Sequence, residues 1–293
     1  MLHWFGNAEE LSSHIVKSGF TVRSLGMKAL SALAVAAVVA VSGQAALATT
    51  TTTTTSDNWS GYALTSANNS NNTFSNVSAN FVVPTVTPST TTGLSEAAFW
   101  VGLDGYSSQR IEQIGVIAEA ETGYTSYYYA FYAMGSGSAV SIAQVLPGDN
   151  ISVAVSYDSS TDKYGLYIDD TSRPGINETL TPSAGTNPAP SSAEWIAEAN
   201  GILGTPPYPL ANFGSVTFTN ASATDSGPTT GTLNAFSSTK INLVPTSGLS
   251  ANTGPLSTDG SSFTVTTAVP EPAALGLMSV GGLTILFGRR KRH

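Results

Sequence analysis

The chain has 293 residues, of which 41% are hydrophobic and only 10% charged, and its formal net charge at pH 7 is −8. Because acidic residues outnumber basic ones, its surface repels nucleic acid and anionic membranes. The chain has no cysteine and its histidines are at positions 3, 14 and 293, so its central part lacks thiol and imidazole, which excludes Ser-His-Asp catalysis, Cys-His catalysis and His/Cys zinc sites.

The N-terminal segment has the composition of an export signal. Met27-Lys28 precede an apolar run from Ala29 to Val41, and the small-residue tripeptide Ala46-Leu47-Ala48 follows. This order is typical of a secretory signal peptide, and the run is shorter than the ~20 apolar residues of a membrane-spanning helix. We therefore expect residues 1–48 to be an N-terminal extension and signal peptide, cleaved after Ala48.

A threonine-rich tract follows the expected cleavage site. Residues 49–56 are nearly all threonine, and so polar a segment offers nothing to bury. We predict that residues 49–56 are a linker and that the folded domain covers residues 57–268. That domain contains four basic and sixteen acidic residues, whose mutual repulsion weakens as pH falls, so its composition indicates tolerance of acid.

The predicted domain is a succession of short strands. Segments rich in Val, Ile, Thr, Tyr and Phe alternate with clusters of Gly, Pro, Asn and Ser, and no part has convincing helical periodicity. Alternation of apolar and polar residues is clearest in segments 151–157, 164–168, 213–220 and 263–267. Strands at this density favour a single all-β domain folded as a sandwich.

A glutamine lies among isoleucines in one predicted strand. Ile111-Glu112-Gln113-Ile114-Gly115 follows the segment Phe99-Trp100-Val101-Gly102-Leu103-Asp104-Gly105. A buried amide can donate a hydrogen bond to an oxyanion and accept one from a water. Taken alone, however, Gln113 is more often an ordinary hydrogen-bonded glutamine, and composition does not distinguish the two.

Another predicted strand carries two carboxylates on one face. In Ser192-Ala193-Glu194-Trp195-Ile196-Ala197-Glu198, the alternation of a strand places Glu194, Ile196 and Glu198 together, with Trp195 opposite. In an ordinary half-buried strand such acids face solvent. Because both faces here carry residues that need cover, we expect a partly buried carboxyl with a raised pKa, suited to acid-base chemistry in acid.

The C-terminal segment combines three features in order. Val269-Pro270-Glu271-Pro272 precedes an apolar stretch from Ala273 to Phe287 and the basic cluster 289–292, which holds that end in the cytoplasm and directs the domain outward. This order resembles the PEP-CTERM sorting signal of Gram-negative bacteria, which exosortases recognise and cleave. A permanent tail anchor is the alternative. The resemblance implies that residues 269–293 are a sorting signal with a short transmembrane helix, on a secreted or cell-surface protein.

Six sequence blocks between Asn58 and Asn220 resemble the glutamic peptidases, or eqolisins, in the same order. The blocks are residues 58–61, 81–86, 100–105, 113–115, 193–198 and 212–220. The resemblance implies a curved antiparallel β-sandwich of concanavalin-like type, in agreement with the strand pattern. It also implies that Glu198 and Gln113 are the catalytic pair.

The resemblance implies further residues of the substrate-binding cleft. Trp100, Asp104 and Tyr132 would line or support it, and Glu194 belongs to the same motif as Glu198 without being the water-activating acid. The sequence departs from the family at its Tyr-Glu-(Trp or Met)-Tyr-Pro block, which here is Tyr132-Ala133-Met134-Gly135-Ser136. The departure bears on both substrate preference and activity.

These features together predict a secreted, pepstatin-insensitive acid endopeptidase. We expect it to be a monomer that acts on polypeptides, needs no metal or organic cofactor, and meets exosortase-type machinery at its C-terminus. The main alternative is a non-catalytic binding module displayed on the cell surface or in extracellular matrix, with the segment Tyr124–Tyr132 as its binding face. A glycosidase would need two carboxylates facing one sugar cleft, and an aspartic peptidase would need more than the single Asp225-Ser226-Gly227.

Overall fold

The computed structural model describes residues 49–66, 73–91, 93–106, 108, 110–135, 137–183, 190–201, 206–227 and 229–268. The predicted signal peptide and the predicted sorting signal lie outside these residues. Within the described ranges, no helix has the length and apolar character needed to cross a membrane.

Almost all regular structure in the described residues is β, with one 3-10 turn at Leu233–Ala235. The strands are β1 (Thr51–Ser56), β2 (Trp59–Ser66), β3 (Phe74–Val82), β4 (Leu94–Leu103), β5 (Ile111–Glu121), β6 (Tyr127–Gly135), β7 (Val140–Gln144), β8 (Asn150–Asp158), β9 (Lys163–Asp170), β10 (Asn177–Leu180), β11 (Ala193–Glu198), β12 (Ser215–Asp225), β13 (Thr230–Gly231), β14 (Ser237–Leu243), β15 (Ser250–Thr253) and β16 (Phe263–Ala268). The strands predicted around residues 151–157, 164–168, 193–198, 213–220 and 263–267 are confirmed as β8, β9, β11, β12 and β16.

The strands form two sheets joined through β12. The first sheet has the order β7-β6-β5-β4-β11-β2-β14 and continues through β15 and β16, and the second has the order β10-β9-β8-β3-β12. Residues 215–218 of β12 pair with β16, and residues 219–225 pair with β3. The strand bends between these halves at a register shift beside Asn220, which has a φ of 51°. The predicted all-β, curved antiparallel sandwich is therefore confirmed.

The first sheet is buried on both of its faces around β11. On the face toward the second sheet, Trp195 packs in the main core and its Nε1 donates a 2.9 Å hydrogen bond to the carbonyl of Ser78 on β3. The other face carries a smaller apolar cluster that includes Trp100, Phe131 and Ile196. We call this second face the site face. Because apolar residues cover β11 on this face as well as on the core face, the strand shows no simple alternation of polar and apolar residues.

The threonine tract is a strand, so the prediction of a linker at residues 49–56 is wrong. Thr51–Ser56 forms β1, which pairs with β14 in parallel. Side-chain hydroxyls join the two strands, with Oγ distances of 3.0 Å between Thr51 and Ser238 and 3.1 Å between Thr52 and Thr239. Threonine is β-branched and fits a pleated surface, and hydroxyl ladders stabilise a sheet edge without apolar burial. A rule based only on buried apolar surface misses such a strand.

Gly115 on β5 allows the close approach of β4. A Cβ at Gly115 would lie 2.1 Å from the carbonyl oxygen of Phe99 and 2.6 Å from Cβ of Trp100. We expect Gly115→Ala to lower the free energy of unfolding by about 3 kcal/mol, because the contact is with backbone that cannot move away. Urea unfolding measures this change.

Gly165→Ala on β9 is the matched control. The added Cβ there meets only the Ser156 hydroxyl, at 2.7 Å, and that hydroxyl can rotate away. We expect a loss below about 1 kcal/mol. Equal losses for the two variants would contradict the packing described for β4 and β5.

Candidate active site

Glu198 ends β11 on the site face. It pairs with Trp59 on β2 and with Ala98 on β4, and its side chain points the same way as that of Ile196 in the apolar cluster. The carboxyl is half-buried and lines a groove. It therefore combines an apolar setting with access to a ligand.

Both carboxyl oxygens of Glu198 accept hydrogen bonds. Trp100 Nε1 donates to Oε2 at 2.8 Å, and Asn58 Nδ2 donates to Oε1 at 2.9 Å. Burial raises the pKa of Glu198 to about 7, although the side chains of Trp100, Trp59 and Asn58 lower it by favouring the charged form. The carboxyl is thus poised to exchange a proton in weakly acidic solution.

The amide of Asn58 is oriented by Ser56. The Ser56 hydroxyl donates to Asn58 Oδ1 at 3.1 Å, and the Asn58 carbonyl accepts the N–H of Ala199 at 2.8 Å. Because its oxygen is engaged with Ser56, the amide turns its Nδ2 toward Glu198. The last residue of β1 therefore helps to position the carboxyl.

Gln113 lies on the same face of the sheet as Glu198, two strands away. It pairs with Gly102 on β4, and Gly102 and Ala98 lie on the same face because they are four residues apart. A Cβ at Gly102 would lie 2.9 Å from the Trp100 ring and 3.3 Å from Gln113 Cβ. Glycine at this position thus lets the Trp100 ring pack closely beside Gln113.

Two cavities meet at Glu198 and Gln113. One, of about 430 Å³, is lined on one side by β1 residues, and the other, of about 330 Å³, by residues of β4, β6 and the segment after β11. Glu198, Gln113 and Ile111 line both cavities. A long ligand lying across both would pass over the carboxyl and the amide.

Trp100 and Asp104 support the site without lining these cavities. Trp100 is fully buried and reaches Glu198 through its Nε1. Asp104 is also buried, and its Oδ1 accepts the N–H of Ser191 at 2.8 Å and the Ser191 hydroxyl at 2.9 Å. It ties the chain before β11 to the end of β4, which is a structural role.

Two predicted binding residues lie elsewhere. Tyr132 pairs with Ile114, and both face the core between the sheets, so Tyr132 is on the opposite side of the sheet from Gln113. Glu194 is on the site face but has no exposed surface and lines neither cavity. The expectation that these two residues contact a ligand is corrected, because the sheet itself separates Tyr132 from the groove and burial removes Glu194 from it.

Glu194 is a fully buried acid. Neither of its carboxyl oxygens has a hydrogen-bond partner of normal geometry among the described residues. Burial raises its pKa well above the ordinary value and nearby Asp104 and Glu112 add to the rise, while the Ser192 hydroxyl and the backbone at Tyr106 oppose it. Burial therefore disfavours the charged form of Glu194 in the folded site.

Sequence reasoning missed the polar wall of the second cavity. Glu96 is buried there, and its Oε2 accepts a 3.0 Å hydrogen bond from Asn200 Nδ2. Burial raises the pKa of Glu96 to about 7, and the neighbouring Glu119 adds to the rise. The alternation of β4 places Glu96 on the same face as Trp100, and this was the one signal in the sequence that could have identified it.

The sequence departure at Ala133 lies inside the site. Ala133 pairs with Gln113 and lines the second cavity. The methyl side chain makes the cavity wall apolar at the position where the resembling family has a glutamate. The departure therefore changes the shape and charge of this cavity beside the amide.

The aspartate of the Asp225-Ser226-Gly227 segment makes hydrogen bonds within its own turn. Asp225 Oδ1 accepts the N–H groups of Gly227 at 2.9 Å and Thr229 at 2.8 Å, so this aspartate stabilises a turn. No group of three or more Asp, Glu, His or Cys residues is arranged to hold a metal ion in the part of the chain that the structure describes.

Comparison with known proteins identifies two segments. The sequence model of the peptidase A4 family matches residues 57–267, and that of the PEP-CTERM protein-sorting motif matches residues 268–292. Aspergillopepsin-2 of Aspergillus niger is 35% identical over 141 residues, which cover 46% of this chain and 48% of that protein. The chain thus matches about half the length of this relative.

Solved structures show the same fold. The structure of scytalido-glutamic peptidase with a transition state analog inhibitor superposes with a TM-score of 0.57 at 21% identity, covering 72% of this chain and 98% of the other. A second structure of that peptidase, with a peptide based transition state analog, gives a TM-score of 0.52 at 20% identity over 72% and 98% of the two chains. At this identity the likeness concerns the fold.

The buried acids predict that stability falls as pH rises. The pKa values of Glu96, Glu112 and Glu198 are raised to about 7, and that of Glu194 is raised well above its ordinary value, in each case mainly by burial. An acid whose pKa is raised on folding stabilises fully below its unfolded pKa, and that contribution is lost as pH passes through the folded value. We expect the melting temperature to fall by at least about 5 °C between pH 4.5 and 7.

Glu194→Gln tests the source of this loss. The amide cannot ionise, so we expect the variant to melt higher than the wild type at pH 7 and close to it at pH 4. Glu121→Gln, at an exposed position at the end of β5, is the control and should follow the wild type. A melting temperature independent of pH, or the same profile for both variants, would contradict the assignment.

Proposed function

The chain belongs to the peptidase A4 family, and from this premise we propose that it is an acid endopeptidase whose catalytic pair is Glu198 and Gln113. The single observation that carries the proposal is that these two side chains lie on one face of the sheet at the junction of two cavities. A polypeptide crossing both cavities would place a peptide bond over the pair. Cleavage within a chain, rather than at its end, follows from open space on both sides.

The proposed mechanism uses one water. Glu198, as carboxylate, takes a proton from a water held between it and the Gln113 amide, and the oxygen attacks the carbonyl carbon of the substrate. The Gln113 N–H donates to the resulting oxyanion. As the C–N bond breaks, Glu198 returns its proton to the leaving nitrogen. General acid-base help and oxyanion donation each contribute about two to four orders of magnitude in rate.

The pKa of Glu198 limits the pH range of this chemistry. With a pKa of about 7, Glu198 is mostly protonated at pH 5 in the absence of substrate. Raising pH supplies more carboxylate, whereas the buried acids destabilise the fold in the same interval. Activity is therefore greatest in weakly acidic solution, where part of Glu198 is ionised and the fold is still stable.

The match to the PEP-CTERM motif supports a location for this activity. The motif at residues 268–292 and the signal-like sequence before Ala48 support export to the cell surface of a Gram-negative bacterium, with an exosortase-type enzyme acting at the C-terminus. Such a location exposes the domain to external acidity. It also gives it access to polypeptides outside the cell.

A non-catalytic binding module is the second candidate. It is favoured by the tyrosines of the β5–β6 hairpin, since Tyr124 is 73% exposed and Tyr127 is 47% exposed. Exposed aromatic rings with polar tips are common in binding surfaces. A pure binding protein, however, gives no reason for a half-buried carboxyl and a buried amide to share one groove.

Hydrolysis of a denatured protein across pH 2 to 7 tests the proposal. We expect Glu198→Gln and Gln113→Ala each to lower kcat/KM by at least about 100-fold, because each removes a group that acts in the transition state. Glu121→Gln is the folded control, and pepstatin should have no effect. Folded wild-type protein that cleaves nothing at any pH would favour the binding module.

Asn58→Leu tests the electrostatic setting of Glu198. The substitution removes the hydrogen bond that the Asn58 amide donates to the Glu198 carboxylate. Because this bond stabilises the charged form, we expect the rising limb of the plot of kcat/KM against pH to move up by about one to two pH units. Asn200→Leu, which removes the matching bond from Glu96, is expected to leave that limb in place. Equal shifts in both variants would show that the limb does not report on Glu198.

A further inference from the structure

β1 is an edge strand with one paired side. The N–H of Ser238 donates to the Thr50 carbonyl at 2.9 Å, and the N–H of Val244 donates to the Ser56 carbonyl at 2.8 Å. In a parallel ladder every second residue bonds to the same neighbour, so even-numbered residues of β1 face β14. The backbone N–H and C=O groups of Thr51, Thr53 and Thr55 therefore point away from it.

No other described strand pairs with that outer side of β1. Natural edge strands are commonly protected by charged side chains, proline or bulges. β1 has none of these, since it consists of five threonines and a serine, and its threonines are exposed. The strand β10, at the edge of the other sheet, is shorter and carries the charged Glu178. The outer edge of β1 is thus open to an added strand.

This open edge leads to the catalytic pair. Thr54, Thr55 and Ser56 line the 430 Å³ cavity together with Glu198 and Gln113. From Thr51 to Thr55 the outward groups span about 13 Å at the usual rise of a strand. A polypeptide paired along them would extend into the cavity that Glu198 also lines.

We propose that the outer edge of β1 binds the backbone of an extended polypeptide substrate as an added β-strand, an inference that rests on the proposed peptidase function. In such pairing, main-chain hydrogen bonds supply the affinity, and specificity for substrate side chains comes from pockets. The small hydroxyl side chains of β1 form no deep pockets along the edge. The substrate class is therefore unfolded polypeptide of varied sequence.

The dependence of kcat/KM on the length of a peptide substrate tests for binding at this edge. An edge of about 13 Å accommodates about four residues. Lengthening a peptide on one side of the cleaved bond by up to that number raises kcat/KM, whereas lengthening it on the other side has no matching effect from β1. Equal gains on both sides, or none, would count against the edge.

Proline substitution tests the backbone bond directly. Thr55→Pro removes an outward N–H and leaves the β14 ladder intact, so we expect about three- to tenfold weaker binding of a fluorescent, unstructured peptide of about twelve residues. Binding is measured by anisotropy on the full chain carrying Glu198→Gln, so that no turnover occurs. Thr53→Pro repeats the test one outward residue further from the pair, should Thr55→Pro unfold. Thr55→Ala keeps the N–H, and its difference from Thr55→Pro isolates the backbone bond.

Thr179→Pro is the matched control on the other sheet. The N–H of Asp170 donates to the Ile176 carbonyl at 3.0 Å, so even-numbered residues of β10 face β9 and the Thr179 N–H points outward. This variant is expected to bind the peptide as the parent does. Equal affinity for the Thr179→Pro, Thr55→Pro and Thr53→Pro proteins overturns the proposal.

Two further measurements separate the possible causes of failure. Cleavage of the same peptide by protein with Glu198 intact tests the peptidase function alone, so binding that depends on the Thr55 N–H without cleavage supports the edge site and contradicts the peptidase. Sedimentation tests for a second copy at the edge. A dimer that Thr55→Pro dissociates, with peptide affinity unchanged, overturns the assignment to substrate.

Discussion

The removal of the Glu198 carboxyl from bulk water is the constraint on which the site depends. β11 lies between β2 and β4 and is covered on both faces, by the main core on one side and by the smaller apolar cluster on the other. A carboxylate in such a place needs hydrogen bonds, and Trp100 and Asn58 supply one to each oxygen. These partners fix its direction as well as its pKa, so that it points into the groove shared with Gln113.

The same burial links activity to the stability of the fold. Four glutamates near the site have raised pKa values, and each costs stability when it ionises. A surface with many acids and few bases adds self-repulsion as pH rises. The site is most stable when these four carboxyls are protonated, although the proposed base must ionise to work. These opposing requirements confine the proposed activity to weakly acidic solution.

Much of the fold and part of the site were predictable from sequence. Period-two alternation gave the strands β8 and β9, and the placing of Glu194, Ile196 and Glu198 on one face followed from the geometry of a strand. Sequence did not show that cover over Glu194 would be complete, because that depends on chain segments distant in sequence. For the same reason Tyr132 was assigned to the cleft, since motif resemblance does not reveal which face a residue occupies.

The threonine tract shows a different limit. Its strand is held by backbone bonds and hydroxyl pairs to β14, nearly two hundred residues later, and no local pattern encodes that partner. Through Ser56 and Asn58 this strand also orients Glu198. The proposed base is thus positioned by a segment whose composition alone indicates a flexible linker.

The most direct test of the central claim is the titration of Glu198 itself, followed by the carbon-13 shift of its side-chain carboxyl and assigned by comparison with Glu198→Gln. The account predicts a midpoint near pH 7 in the folded, substrate-free protein. A midpoint close to the ordinary value of about 4.5 would contradict it, because the carboxyl would then be well solvated and its burial between β2 and β4 could not set the pH range of the site.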